Sequence, residues 1–200
     1  MLQSNGKPTV LSDQELTAII TGEAPFITTR REGGITPDQI QASSIDLTLG
    51  QKVFGMGVAS LSREGKTVSE LVKKCQYSFT LDPGQDGFLH RGYTYIVPLN
   101  EQLILPKEFS AKFSPKSSTG RTDVFVRVLA DGVSRFDHVP EGFRGNLYLE
   151  ITSLSFPVFI RPDLSLVQMR IRNGDARLSG RDVAIMHSNK GIFLDKKGSV

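Results

Sequence analysis

Short β-rich runs, broken by turn residues at intervals of about 8–12 positions, constrain this 200-residue chain more than any other feature. Tyr93–Leu99, Glu101–Pro106, Phe156–Ile160 and Leu164–Ile171 are runs of this kind, the last two joined by the turn Arg161-Pro162-Asp163. Pro98 and Pro106 are expected at strand ends, because proline has no N–H to give to a ladder. From Gln41 to Gly50 the chain alternates Ile45, Leu47 and Leu49 against Ser44, Asp46 and Thr48, the pattern of a half-buried strand. One helix is signalled clearly. Ser12-Asp13-Gln14-Glu15 is a capping box, followed by Leu16, Ile19 and Ile20 on one side and Gly22 near the end. Gly22 to Pro37 reads as a loop, and residues 51–80 carry little pattern beyond a short helix over Val68–Lys74. With no repeat and no low-complexity tract, these signals predict a single mainly-β domain, a barrel or a sandwich.

Charge and composition remove several function classes. The 24 basic and 21 acidic residues are well mixed, unlike the clustered charge of a nucleic-acid-polymer binder, so the net +3 suits at most a small polyanionic ligand. No apolar run approaches the length needed to span a membrane, and MLQSNGKPTV lacks the apolar core of a secretion signal. Cys75 is the only cysteine, which excludes an intrachain disulfide and points to a cytoplasmic setting.

The chemistry concentrates between Pro115 and Glu150. The segment opens on a small basic turn, Lys116-Ser117-Ser118-Thr119-Gly120-Arg121, whose hydroxyls, amides and two cations suit a phosphate or a positioned water. It closes on Glu150 inside the apolar run Leu147–Ile151. Alternation sets Leu147, Leu149 and Ile151 on one face and Tyr148, Glu150 and Thr152 on the other. A carboxylate so placed and partly buried would have a raised pKa, suited to a general base. The plainer readings are an ordinary turn and a solvated or ion-paired strand acid, with Arg121 as the partner.

Taken together, PKSSTGR, then RFD, then GFRG, then YLE resemble the nucleotide site of the dCTP deaminase family, relatives of the trimeric dUTPases, and the likeness runs from about Leu11 to Arg172. The resemblance implies a distorted jelly-roll β-barrel of the dUTPase-like type with a short N-terminal helix. It also implies a homotrimer with active sites between subunits. Residues 1–10 would be a flexible N-terminus, 11–180 the deaminase domain, and 181–200 a lid or the start of a second lobe. Ser44-Ile45-Asp46-Leu47 resembles a family segment that serves fold and trimer. Residue by residue, Glu150 matches the family's general base, Ser117 the serine that positions the water, and Arg121 the arginine beside them. Lys116 stands where an arginine usually contacts phosphate, which keeps the charge and loses the fork. Ser118 and Gln168 match phosphate-side positions, although Gln168 also reads as a plain sheet-face polar residue. Val133, Arg135 and Asp137 match the segment that reads the pyrimidine edge and the sugar. Phe143 matches a ring under deoxyribose, with simple core packing as the other reading.

The implied reaction is dCTP plus water giving dUTP plus ammonia, with Mg²⁺ carried by the triphosphate of the substrate. Zinc deaminases need a His/Cys/Cys set, and one cysteine with the scattered His90, His138 and His187 cannot supply it. Two alternatives stay open: a bifunctional enzyme releasing dUMP and pyrophosphate, and a nucleotide-binding module without turnover. Longer intervals around Ala130-Asp131-Gly132 and His138–Glu141 make the chain more similar to the catalytic N-terminal half of the two-lobed family members.

Overall fold

The computed structural model describes residues 8–56 and 66–193, so most of the expected loose N-terminus and the last residues of the C-terminal segment lie outside the described residues. The chain begins with β1 (Thr9–Val10), α1 (Asp13–Thr21), β2 (Ile27–Thr29), a 3₁₀ turn (Pro37–Gln39), β3 (Ile40–Gln41), β4 (Ser44–Thr48) and β5 (Lys52–Met56). After α2 (Val68–Val72) come β6 (Tyr77–Thr80), β7 (Gly87–Leu89), β8 (Thr94–Ile104) and β9 (Phe109–Pro115). The one-turn helix α3 (Ser117–Arg121) leads into β10 (Val124–Ala130), β11 (His138–Val139) and β12 (Arg144–Ser153). β13 (Val158–Ile160), β14 (Ser165–Asn173) and α4 (Gly180–Lys190) complete the described chain.

All strand pairings among the described residues are antiparallel. One sheet runs β11-β9-β14-β4-β3 with β1 on β14, a second runs β10-β12-β8-β5-β6 with β2 on β8, and β13 pairs with β7. This is the expected mainly-β, jelly-roll arrangement. Period-two alternation builds the core between the two large sheets. Ala111 and Phe113 of β9, with Val167, Met169 and Ile171 of β14, face Leu147, Leu149 and Ile151 of β12 across it. Each aliphatic side chain of this size contributes about 1.5–3 kcal/mol by leaving water. A second apolar cluster lies on the outer side of the second sheet, where Val68 and Val72 of α2 pack with Met56, Ile96, Leu129 and Tyr148.

Several sequence expectations change. Thr9 and Val10 pair with Arg172 and Asn173, so part of the presumed loose N-terminus is strand. The loop from Gly22 to Pro37 contains β2, whose Ile27 is buried against Leu103 of β8. Pro98 does not end a strand. β8 runs straight through it, because the ladder to β12 shifts register between Asn146 and Tyr148, beside Pro98, and a bulge tolerates a missing N–H. The Lys116–Arg121 turn is a helical turn, and α4 was not anticipated, since it buries no side chain and so carries no strong amphipathic pattern. α1 is as expected: Ser12 accepts from the Glu15 N–H, Glu15 accepts from the Ser12 N–H, and Leu16 and Ile19 are buried. β4 is buried along its whole length rather than on one face.

Candidate active site

Glu150 sits mid-strand in β12, on the face away from the main core. In the ladder it lies between Arg127 of β10 and Ile96 of β8, and Ile96 in turn lies opposite Phe54 of β5. A lateral row of aromatic, aliphatic, acid and base therefore crosses four strands. Apolar neighbours on the same face and Phe136 exclude water, leaving Glu150 only 1% exposed. Burial pushes its carboxyl above the ordinary glutamate range, the Asp137 charge adds to this, and Arg127 partly offsets it.

The Arg127 guanidinium donates from Nε and Nη2 to one carboxylate oxygen, Oε1, at 2.9 and 2.5 Å. The other oxygen, Oε2, is buried and accepts nothing from the described residues. Two aromatic rings neighbour Arg127: its guanidinium carbon lies 3.7 Å from the centroid of the Phe136 ring and 5.1 Å from that of Phe125. Arg127 was not anticipated. Its register opposite Glu150 follows only from the β10–β12 pairing, although a basic residue alternating with Val126 and Val128 was visible in the sequence.

Asp137 closes the loop that follows β10. Its Oδ1 accepts from the Val128 N–H at 2.8 Å, and its own N–H donates to the Val128 carbonyl at 3.0 Å. The backbone there has φ +56°, a left-handed conformation that aspartate adopts more readily than most residues. Burial raises the Asp137 carboxyl as well. Val133 packs against the main core, and Phe143 is buried within it at 7% exposure. Arg135 is exposed and turns toward the outer side of the first sheet, where it lines a cleft with Lys112 and His138.

The remaining candidates gather elsewhere, where β9 runs into α3. Lys116 is ion-paired with Asp46 of β4, and Gln168, directly opposite Asp46 in the ladder, accepts from the Ser44 hydroxyl at 3.0 Å. Ser117, Ser118 and Arg121 are exposed on α3, with the Arg121 Nε donating to the Ser117 carbonyl at 3.3 Å. Thr119 anchors the turn, its hydroxyl donating to the Leu166 carbonyl at 3.0 Å. Two half-sites result. Among the described residues no hydrogen bond or ion pair joins Glu150 to Ser117 or Arg121, and the acid's partner is Arg127. Neither the 740 Å³ cleft lined by Arg31, Asn100 and Arg161 nor the 390 Å³ cleft beside Tyr77 and Phe88 includes Glu150. No group of three or more His, Cys, Asp or Glu side chains able to hold a metal occurs among the described residues. None of the described helices is long and apolar enough to cross a membrane.

Comparison with known proteins gives a consistent result. Residues 7–175 match the family described as 2'-deoxycytidine 5'-triphosphate deaminase (DCD) N-terminal domain. A "dCTP deaminase, dUMP-forming" from Coprothermobacter proteolyticus is 27% identical over 190 residues, covering 94% of this chain and 92% of that protein. A protein of the same description from Halobacterium salinarum is 24% identical, covering 80% and 78%. Among solved structures, the 2'-deoxycytidine 5'-triphosphate deaminase from Agrobacterium tumefaciens superposes with a TM-score of 0.83 at 35% identity. That match covers 92% of this chain and 54% of the other, so this chain spans about half the length of the Agrobacterium protein.

Proposed function

The chain belongs to the dCTP deaminase N-terminal domain family, and from that premise we propose that it hydrolyses the exocyclic C–N bond of dCTP, giving dUTP and ammonia. The observation that carries this reading is the asymmetry at Glu150: Arg127 occupies Oε1, while Oε2 is buried and unpartnered among the described residues. A base needs one free, desolvated lone pair and a fixed orientation, and Glu150 has both. Oε2 takes a proton from water as the oxygen attacks cytosine C4. That proton passes to N3, a second reaches the amino nitrogen, and ammonia leaves as the C4 carbonyl forms.

The split between half-sites supports catalysis between subunits of a homotrimer. In this arrangement Ser117 and Arg121 of one copy position the water over Glu150 of the next. Lys116, Ser118 and Gln168 take the triphosphate, with Lys116 exchanging Asp46 for phosphate oxygens. Mg²⁺ enters with the substrate, held by the phosphates. Asp137 bounds the deoxyribose, and the backbone around Val133 and Arg135 reads the pyrimidine, while the Phe143 ring packs in the main core.

A second reading is favoured by the description of the Coprothermobacter and Halobacterium relatives as dUMP-forming: the same chain also cleaves the triphosphate. One experiment separates the two. Incubation with dCTP and Mg²⁺, followed by ammonia assay and nucleotide separation, gives dUTP on the first reading. On the second it gives dUMP with pyrophosphate. Tight dCTP binding without ammonia would overturn both in favour of a binding module.

A further inference from the structure

On the outer side of the first sheet, opposite the side of the molecule that carries Glu150, the surface is cationic. Ala111, Phe113, Met169 and Ile171 point into the core, so their neighbours Lys112, Arg170 and Arg172 point outward. His138 pairs with Lys112 and extends the same face. There a cleft of about 500 Å³ is lined by Lys112, Arg135, His138, Arg172 and Arg177, with Ser110 among its other residues.

Three properties distinguish this cleft from a solvated basic surface. First, two of its polar atoms, the Arg172 Nε and the His138 Nδ1, are buried and have no hydrogen-bond partner among the described residues. A buried unpaired donor on a cation is costly and is ordinarily satisfied by a ligand or an ordered water. Second, four cations face two acids, and one of these, Asp175, is already held by Arg177, whose hydrogen bonds draw its pKa down to about 2. Glu141 is the other acid. The excess charge acts on His138, whose imidazole is pushed below its ordinary pKa by burial, then by Arg135 and Arg172. Third, apart from that imidazole no aromatic ring lines the cleft, so a nucleobase has nothing to stack on. Guanidinium forks beside a lysine are the donor set for phosphate oxygens.

We propose that this cleft is a binding site for an oligophosphate anion, recognised through its phosphates, with the Arg172 guanidinium as the central contact. The site uses neither Glu150 nor the Lys116–Arg121 turn, and it shares with the deaminase reading only Arg135, whose side chain lines the cleft while its backbone is assigned to the pyrimidine.

The test is calorimetric titration of inorganic pyrophosphate into the full chain, alone and with saturating dCTP on the Glu150→Gln background. The expected result is a saturable pyrophosphate site that persists when dCTP fills the active site. Arg172→Ala should weaken it about tenfold or more, the range expected for one charge-assisted hydrogen bond. Arg172→Lys should weaken it less, and kcat/KM for dCTP should not change. Lys112→Ala, at an exposed position, provides the same readout should the Arg172 variants fail to fold. ATP should bind no more than a few-fold differently from pyrophosphate, because the base adds nothing. Absence of pyrophosphate binding would overturn the proposal. So would binding that survives Arg172→Ala and Lys112→Ala, or binding that dCTP displaces and Lys116→Ala abolishes, because the basic turn would then be the site.

Discussion

Glu101 and Glu150 are both buried strand glutamates, 0% and 1% exposed, and burial raises both carboxyls above the ordinary range. Their surroundings differ in one respect. Glu101 has both oxygens satisfied: Oε2 accepts from the Thr48 N–H at 2.8 Å, and Oε1 accepts from the Thr48 hydroxyl at 2.8 Å and Gln39 Nε2 at 3.0 Å. These bonds tie β8 to β4 and to the 3₁₀ turn, so the acid is a joint between the two large sheets. Glu150 has one oxygen clamped and one left empty. Burial alone therefore does not mark a functional acid. What distinguishes Glu150 is an oxygen with no donor on it beside a fixed one, whereas each Glu101 oxygen already accepts a hydrogen bond that holds the two sheets together.

Four predictions break or sharpen this contrast. The largest effect concerns the half-sites: Arg121→Ala and Glu150→Gln should each lower kcat by about 10²–10⁴. Co-expressed, the two variants should regain activity in about a quarter of all sites, one in each mixed trimer, if neighbouring copies complete each other. Mixed assemblies as inactive as either parent would return the whole site to a single chain. Next, Arg127→Ala removes the clamp and leaves a buried carboxylate unpaired, so the Glu150 pKa should climb further. The acidic limb of kcat/KM should move to higher pH, at roughly tenfold lost rate per unit below the limb. An unmoved limb would reduce Arg127 to a packing residue.

Glu101→Gln should do the reverse, turning an amide NH₂ toward donors and costing about 1–3 kcal/mol of stability. The chemistry per folded molecule should stay intact, and a lost deamination rate without lost stability would contradict the division of labour. The smallest effect is the pH slope. Both folded pKa values lie above their unfolded ones, so the folded state binds more protons. Stability should be fullest below the ordinary glutamate pKa and should fall as pH rises through the raised values. Deamination should rise over that same interval, as Glu150 becomes a base. Melting curves against pH, set beside kcat/KM against pH, would show these opposite slopes, and parallel slopes would refute the assignment.

Much of this was legible in the sequence where the signal was local. The Ser12 capping box gave α1, and the Leu147/Leu149/Ile151 alternation put Glu150 on the opposite face. Glu101 was equally legible yet passed over: Val97, Leu99, Leu103 and Leu105 share its parity, and all face the core. The expected break at Pro98 cut that pattern in two. Arg127 was not legible, because its meaning depends on the β10–β12 register, a long-range property. The same holds for the Lys116–Asp46 pair, which joins residues 70 positions apart. The outer cationic face required knowing that β9 and β14 are neighbours.

The most direct test of the central claim is ammonia release by Glu150→Gln, measured with dCTP binding on the same preparation. The carboxamide keeps an oxygen for Arg127 but loses the basic lone pair, so dCTP should bind near wild-type affinity while ammonia falls by about 10²–10⁴. Deamination at the wild-type rate would contradict Glu150 as the base and leave its empty oxygen without a role.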